Sequence, residues 1–301
     1  MTMWAVASLA VPVVVAVVAA IRSTWSPCGL SMLSTLTPVT DRGRGYRYPV
    51  TAGWFVAGSL LGSLLLGLPA AAAAWGLGRL HAPATSWCAI GAVVALLTLA
   101  ADRHWGGFRL PEHPRQVDET WLVRYRRWLY AAGFGVQIGS GFATYIMTTA
   151  VYLTVGLAVL TAQPVAALGI CLTFGLVRGL AVLLTARVRS TDGLRRLHAW
   201  FARWAGWSTA VAAAAQAWAA VSLAGLALGA WWPSGLGFAV LVGVAIAAAP
   251  DAAGPDVSRV GTAPARPDRS GHQTELIALG IGQHDENVRG IRRPPQHARA
   301  Q

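Results

Sequence analysis

A nearly pure apolar run, Val11 to Ile21, leads into Ser23-Thr24-Trp25-Ser26-Pro27-Cys28-Gly29, where a membrane helix should run straight. Pro27 lacks a backbone donor and clashes with the preceding turn, and Gly29 removes the side chain that would stiffen the next one. Within a bilayer such a break survives only where protein or a water-filled cavity satisfies the freed backbone groups. The break carries a thiol, so Cys28 is the first candidate for a functional residue.

Hydrophobic residues make up 55% of the chain and charged residues 12%. The apolar stretches are long and uninterrupted, which predicts an all-α, polytopic membrane helix bundle. Six spans are expected at about 3–38, 49–78, 85–101, 128–160, 164–186 and 208–230. A marginal seventh covers 235–249. Spans one and four are too long for single helices. The transmembrane domain is therefore 1–250, and 251–301 reads as a disordered tail rich in Pro, Gly, Arg, Asp and Gln. No cleavable signal peptide is expected, since Met1-Thr2-Met3 carries no positive charge.

The net charge of +12 comes from Arg alone, because the chain has no Lys. Most Arg sit in short loops beside apolar spans, which points to membrane orientation rather than nucleic acid. Loops after spans one, three and five hold Arg42, Arg44 and Arg47, then Arg103 to Arg127, then Arg187 to Arg203. The other loops hold only Arg79. This alternation predicts a multi-pass protein of the inner or plasma membrane, with its N-terminus outside and lipid as its surroundings. Residues 194–207 read either as an interfacial amphipathic helix or as an extension of span six. The three cysteines form no CxxC pair. The seven His fall in loops or the tail without ligand spacing, so neither a metal nor a cofactor is expected.

Ser26 to Thr35 can be laid on Ser140 to Thr149, Tyr48-Pro49 on Gln163-Pro164, and Gly58 to Gly62 on Gly175 to Gly179. Each unit holds three spans, about 3–102 and 128–230. An odd number inserts the second upside down, giving a three-plus-three inverted repeat with a broken first helix in each half. Cys28 reads as a reactive thiol or as a small apolar residue at a helix contact. Cys88 and Cys171 read as packing residues. Arg178 lies deep in span five, and an intramembrane Arg usually faces a cavity or a polar partner. No Asp or Glu is expected inside a span, so Arg178 would meet helix-end carbonyls, a hydroxyl or an anion. Pro27, Gly29, Arg178, Ser140, Thr144, Tyr145 and Thr148 form the candidate substrate-binding set.

With Ser26-Pro27-Cys28 at a break in the first span and Gly-rich second and fifth spans, the chain resembles the CcdA/DsbD-type transmembrane family, within the LysE-like transporter group. The resemblance covers about residues 8 to 230. It implies transfer of reducing equivalents across the membrane, as in cytochrome c biogenesis, with thioredoxin-like partners. Cys28 matches the first family cysteine, whereas Phe142 stands at the repeat-equivalent of the second, leaving Cys171 as the resolving thiol. Two other readings stand beside it. One is a small-solute or anion transporter on the same scaffold, and the other is a non-catalytic membrane partner whose Arg loops and tail dock other proteins.

Overall fold

The computed structural model describes residues 3–107, 125–141, 146–247 and 249. The tail expected at 251–301 lies outside them. Ten α-helices account for most of the described chain: α1 (Met3–Ser23), α2 (Pro27–Thr35), α3 (Pro38–Gly43), α4 (Tyr48–Gly78), α5 (Ala84–Asp102), α6 (Arg127–Ser140), α7 (Ala150–Leu160), α8 (Pro164–Leu180), α9 (Thr191–Ala227) and α10 (Trp232–Ala247). A short 3₁₀ turn, Ala181–Thr185, prolongs α8. No strand occurs among the described residues.

Four helical stretches are long and apolar enough to cross a membrane: Tyr48–Gly78, Ala84–Asp102, Pro164–Thr185 and Thr191–Ala227. A fifth is counted if Ala7–Ser23 and Pro27–Thr35, bent by 66°, form one span. The architecture is a membrane helical bundle. Residues 194–207 lie within one continuous helix, α9, so the extension of span six holds and no separate interfacial helix forms.

Helix α4 packs along α6 and α8. The seam with α6 is backbone against backbone. A Cβ on Gly58 or Gly62 would run into the carbonyl oxygens of Ala132 or Val136, and one on Gly135 or Gly139 into those of Phe55 or Ser59. On the other side, Gly175 and Gly179 of α8 lie against the side chains of Ser63 and Ser59. The Ser59 hydroxyl donates to the Gly175 carbonyl at 2.7 Å. In lipid, apolar side chains gain little by meeting one another, so helices associate through close packing and interhelical hydrogen bonds. Small residues at a spacing of four supply both.

Three side-chain clusters fill the rest of the interior. Val11, Val15, Ala95, Leu157 and Trp218 belong to one. Trp25, Leu33, Phe55, Tyr130 and Phe201 belong to the second. Ala16, Ala70, Val151, Ile170 and Phe174 belong to the third. Polar contacts join the connections at one end of the bundle. The Tyr48 hydroxyl donates to the Val182 carbonyl at 2.7 Å, and the Thr185 hydroxyl donates to the Leu36 carbonyl at 2.7 Å. The Arg127 guanidinium lies 4.8 Å from the Tyr46 ring centre. Asp41 is buried there, which pushes its carboxyl up from the ordinary range, while Arg127 and Arg44 oppose the shift.

The seam predicts a strong contrast between glycines. Gly139→Ala should cost about 1–3 kcal/mol, as overpacking does elsewhere. Gly53→Ala, where a Cβ meets open space, should be neutral or slightly stabilising. Unfolding of both variants in detergent measures the difference. Equal stabilities would contradict the seam.

Candidate polar centre at two helix breaks

The first break is three residues long. Helix α1 ends with the Ser23 hydroxyl donating to the Ala19 carbonyl at 2.7 Å. Helix α2 starts at Pro27, and the Ser26 hydroxyl caps it by accepting from the Gly29 amide at 3.1 Å. Pro27 occupies the first helical position, where its missing N–H costs nothing. It opens a new helix. Gly29 is needed because a Cβ would collide with the Thr24 carbonyl as the chain folds back. The Trp25 indole N–H donates to the Phe201 carbonyl at 2.7 Å, which ties the break to α9.

Cys28 is 2% exposed, and Arg178 of α8 is likewise 2% exposed. Cys28 is an electrostatic neighbour of Arg178. The Arg178 guanidinium also lies 5.8 Å from the Phe174 ring centre. Cys171 is buried in the cluster that holds Phe174, whereas Cys28 is buried in the cluster that holds Trp25. Cys88 belongs to the remaining cluster. None of the three cysteines forms a disulfide.

The second break follows Ser140. The Ser140 hydroxyl bonds back to Gln137 of its own helix at 2.8 Å, and Gly141 takes a positive φ of 71°. Thr144 and Tyr145, and Phe142 with them, lie outside the described residues. The chain re-enters a helix at Ala150, and Asp102 organises that start. Its carboxylate accepts from the Thr148 hydroxyl at 2.6 Å, the Thr149 amide at 2.7 Å and the Gln216 side-chain amide at 2.7 Å. The Thr149 hydroxyl donates to the Thr98 carbonyl at 2.6 Å. A carboxylate at a helix N-terminus satisfies orphan amides and meets the positive end of the dipole. Arg22 of α1 is the nearby cation, with Asp102 its electrostatic neighbour. Gln216 is fully buried, and its Oε1 has no hydrogen-bond partner among the described residues.

The expectation that no acid lies inside a span is thus corrected. Asp102 is the last residue of the α5 span, and its carboxylate reaches Gln216, well inside α9. Sequence reading placed it at the start of a polar loop and so missed it. The helical pattern of α9 did hold one signal, a Gln in an otherwise apolar and small-residue stretch from Val211 to Leu226. His198 also departs from expectation, since it lies within α9 and its Nε2 is 2.9 Å from the Ser34 hydroxyl. The candidate residues therefore divide. Cys28, Pro27, Gly29 and Arg178 gather at the first break, Thr148 serves the second, and Ser140 turns back on its own helix.

Similarity to known proteins adds a family. No family model matches the chain, and no solved structure matches it. A methylamine utilization protein MauF of Paracoccus denitrificans is 32% identical over 210 residues, covering 67% of this chain and 70% of that protein. The MauF protein of Methylophilus methylotrophus is 29% identical over 198 residues, covering 64% and 67%. That of Paracoccus versutus is 31% identical over 175 residues, covering 53% and 59%. These relatives overturn the expected CcdA/DsbD-type family. The readings as a thiol redox carrier and as a transporter go with it, as does the link to cytochrome c biogenesis. The physical reason is plain at the first break. Ser-Pro at a capped helix start and small residues along a seam are what any broken-helix bundle requires, and they do not specify thiol chemistry.

The polar centre predicts that Asp102→Ala removes the acceptor for three donors, two of them on the buried Thr148 and Gln216. The cost should be about 3 kcal/mol or more. Gln216→Ala, which also deletes an orphaned acceptor, should cost less. Thermal unfolding in detergent ranks the two. An Asp102→Ala protein as stable as the parent would contradict the assignment.

Proposed function

The chain belongs to the MauF family of methylamine utilization proteins, and on that premise we propose that it is a non-catalytic membrane accessory protein of methylamine utilization. It acts by contact with other proteins of that process. The observation that carries this reading is the shared family of its relatives, each named for methylamine utilization. The polar groups of the two breaks support it. Ser26, Asp102, Thr148 and Thr149 spend their hydrogen bonds on helix ends and on Thr98 and Gln216. On this reading Pro27, Gly29, Arg178, Ser140 and Thr148 shape the bundle rather than grip a substrate, and Cys28 is a packed neighbour of Arg178.

The chain crosses the cytoplasmic membrane six or seven times with its N-terminus outside. The spans are α1 with α2, α4, α5, α6 with α7, α8 and α9, with α10 as the seventh. Contacts among Leu36, Tyr46, Tyr48, Arg127 and Thr185 support it, because they gather the Arg-rich connections at one end of the bundle. The inverted repeat draws support from pairwise packing of equivalent helices, α4 on α8 and α5 on α9. The Arg-rich end is the surface offered to cytoplasmic partners.

Two experiments follow. Deleting the gene should abolish growth on methylamine as nitrogen source and leave growth on ammonium intact. Unaffected growth on methylamine would overturn the role. Reporter fusions at Gly107 and Gln163 should report opposite sides, with Gly107 cytoplasmic. The same side for both would overturn the topology.

A further inference from the structure

Two clefts flank the Trp25–Phe201 contact, and they differ in chemistry. One, about 370 Å³, carries Arg22, Ser31, Ser34 and His198 on a wall otherwise made of apolar residues, Trp25, Leu30, Met147 and Phe201 among them. The other, about 360 Å³, shares Trp25 and Phe201 and, apart from Thr24, has only apolar walls, among them Ile21, Leu180, Leu184, Trp200 and Trp204. The common lip is rigid. Trp25 and Phe201 rings meet edge-on at 4.9 Å, the Trp25 N–H holds the Phe201 carbonyl, and the Trp200 and Trp204 rings continue the aromatic row at 5.6 Å. A mostly apolar hollow that carries one cation and three polar side chains, beside an aromatic and aliphatic one, is complementary to a molecule with an anionic head and an apolar tail.

The geometry points to a bound anionic phospholipid, its headgroup phosphate between Arg22, His198 and Ser34 and one acyl chain laid along Trp200 and Trp204. The charge of the hollow selects the headgroup. Arg22 brings a permanent cation, and its acidic neighbour Asp102 already accepts three hydrogen bonds elsewhere. The apolar cleft selects a lipid over a free phosphate. Depth agrees, since His198 sits about two turns from the start of α9, the level at which Trp rings and basic side chains meet headgroups. The site rests on membrane placement alone and is independent of the role in methylamine utilization.

The test uses the full chain purified in mild detergent and offered equal amounts of phosphatidylglycerol and phosphatidylcholine with identical acyl chains. Native mass spectrometry reads the lipid retained. Phosphatidylglycerol should be retained with about five-fold preference, the effect of one basic side chain near an anionic lipid. Arg22→Gln should remove the preference. His198→Gln, which alters an exposed residue, should reduce it without disturbing the fold and decides the matter if Arg22→Gln misfolds. Arg79→Gln, at the opposite end of α4 from Tyr48, should leave it unchanged. Equal retention of the two lipids, no retained lipid, an equal loss in Arg79→Gln, an unreduced preference in His198→Gln, or displacement by soluble glycerol phosphate would each overturn the site.

Discussion

Direct backbone contact between α4 and α6 sets the spacing on which the rest of the bundle depends. Gly58 and Gly62 face Ala132 and Val136, while Gly135 and Gly139 face Phe55 and Ser59, so none of these four glycine positions can carry a side chain. The adjoining face of α4 then meets α8 through Ser59, Ser63, Gly175 and Gly179. Arg178 sits one residue before Gly179, so this close approach also carries it into the interior, beside Cys28. In hydrocarbon an outward-facing guanidinium at that depth would be costly, and the seam removes that orientation.

The two breaks solve the same problem with different means. At the first, Ser26 caps α2 locally, three residues from the amide it satisfies. At the second, the cap is long-range. Asp102 comes from another helix to reach Thr148 and Thr149, and it also engages Gln216. That arrangement fixes α5, α7 and α9 together. It also sets a half-buried carboxylate near the half-buried Arg22 cation, and each lowers the cost of partly desolvating the other.

Much of the architecture was legible from local signals. Hydropathy marked the long spans, excess length marked the two that break, and Pro27 with Gly29 marked the first break to within a turn, since the chain breaks at 24–26 and those two residues open α2. The glycines of spans two and five read only as marks of the repeat and of the family resemblance; their close approach to α6 and to the serines of α4 is a property of the assembled bundle. Asp102 was illegible because its sequence neighbours are Arg103 and His104, which read as loop, while its partners are 46 and 114 residues away. The continuity of α9 was hidden by the charged face of 194–207, which an interfacial helix shares. The family was misread because the Ser-Pro-Cys tripeptide owes its proline to helix capping and its cysteine to packing beside Arg178. No second cysteine stands at the equivalent break.

The central claim is that the protein serves methylamine utilization through its shape and contacts and not through a thiol. The most direct measurement is growth on methylamine of cells whose only copy carries Cys28→Ser, Cys88→Ala and Cys171→Ala, with membrane levels of the protein checked by immunoblot. The account predicts growth equal to that of the parent. A folded, membrane-resident triple variant that fails to support growth would contradict it.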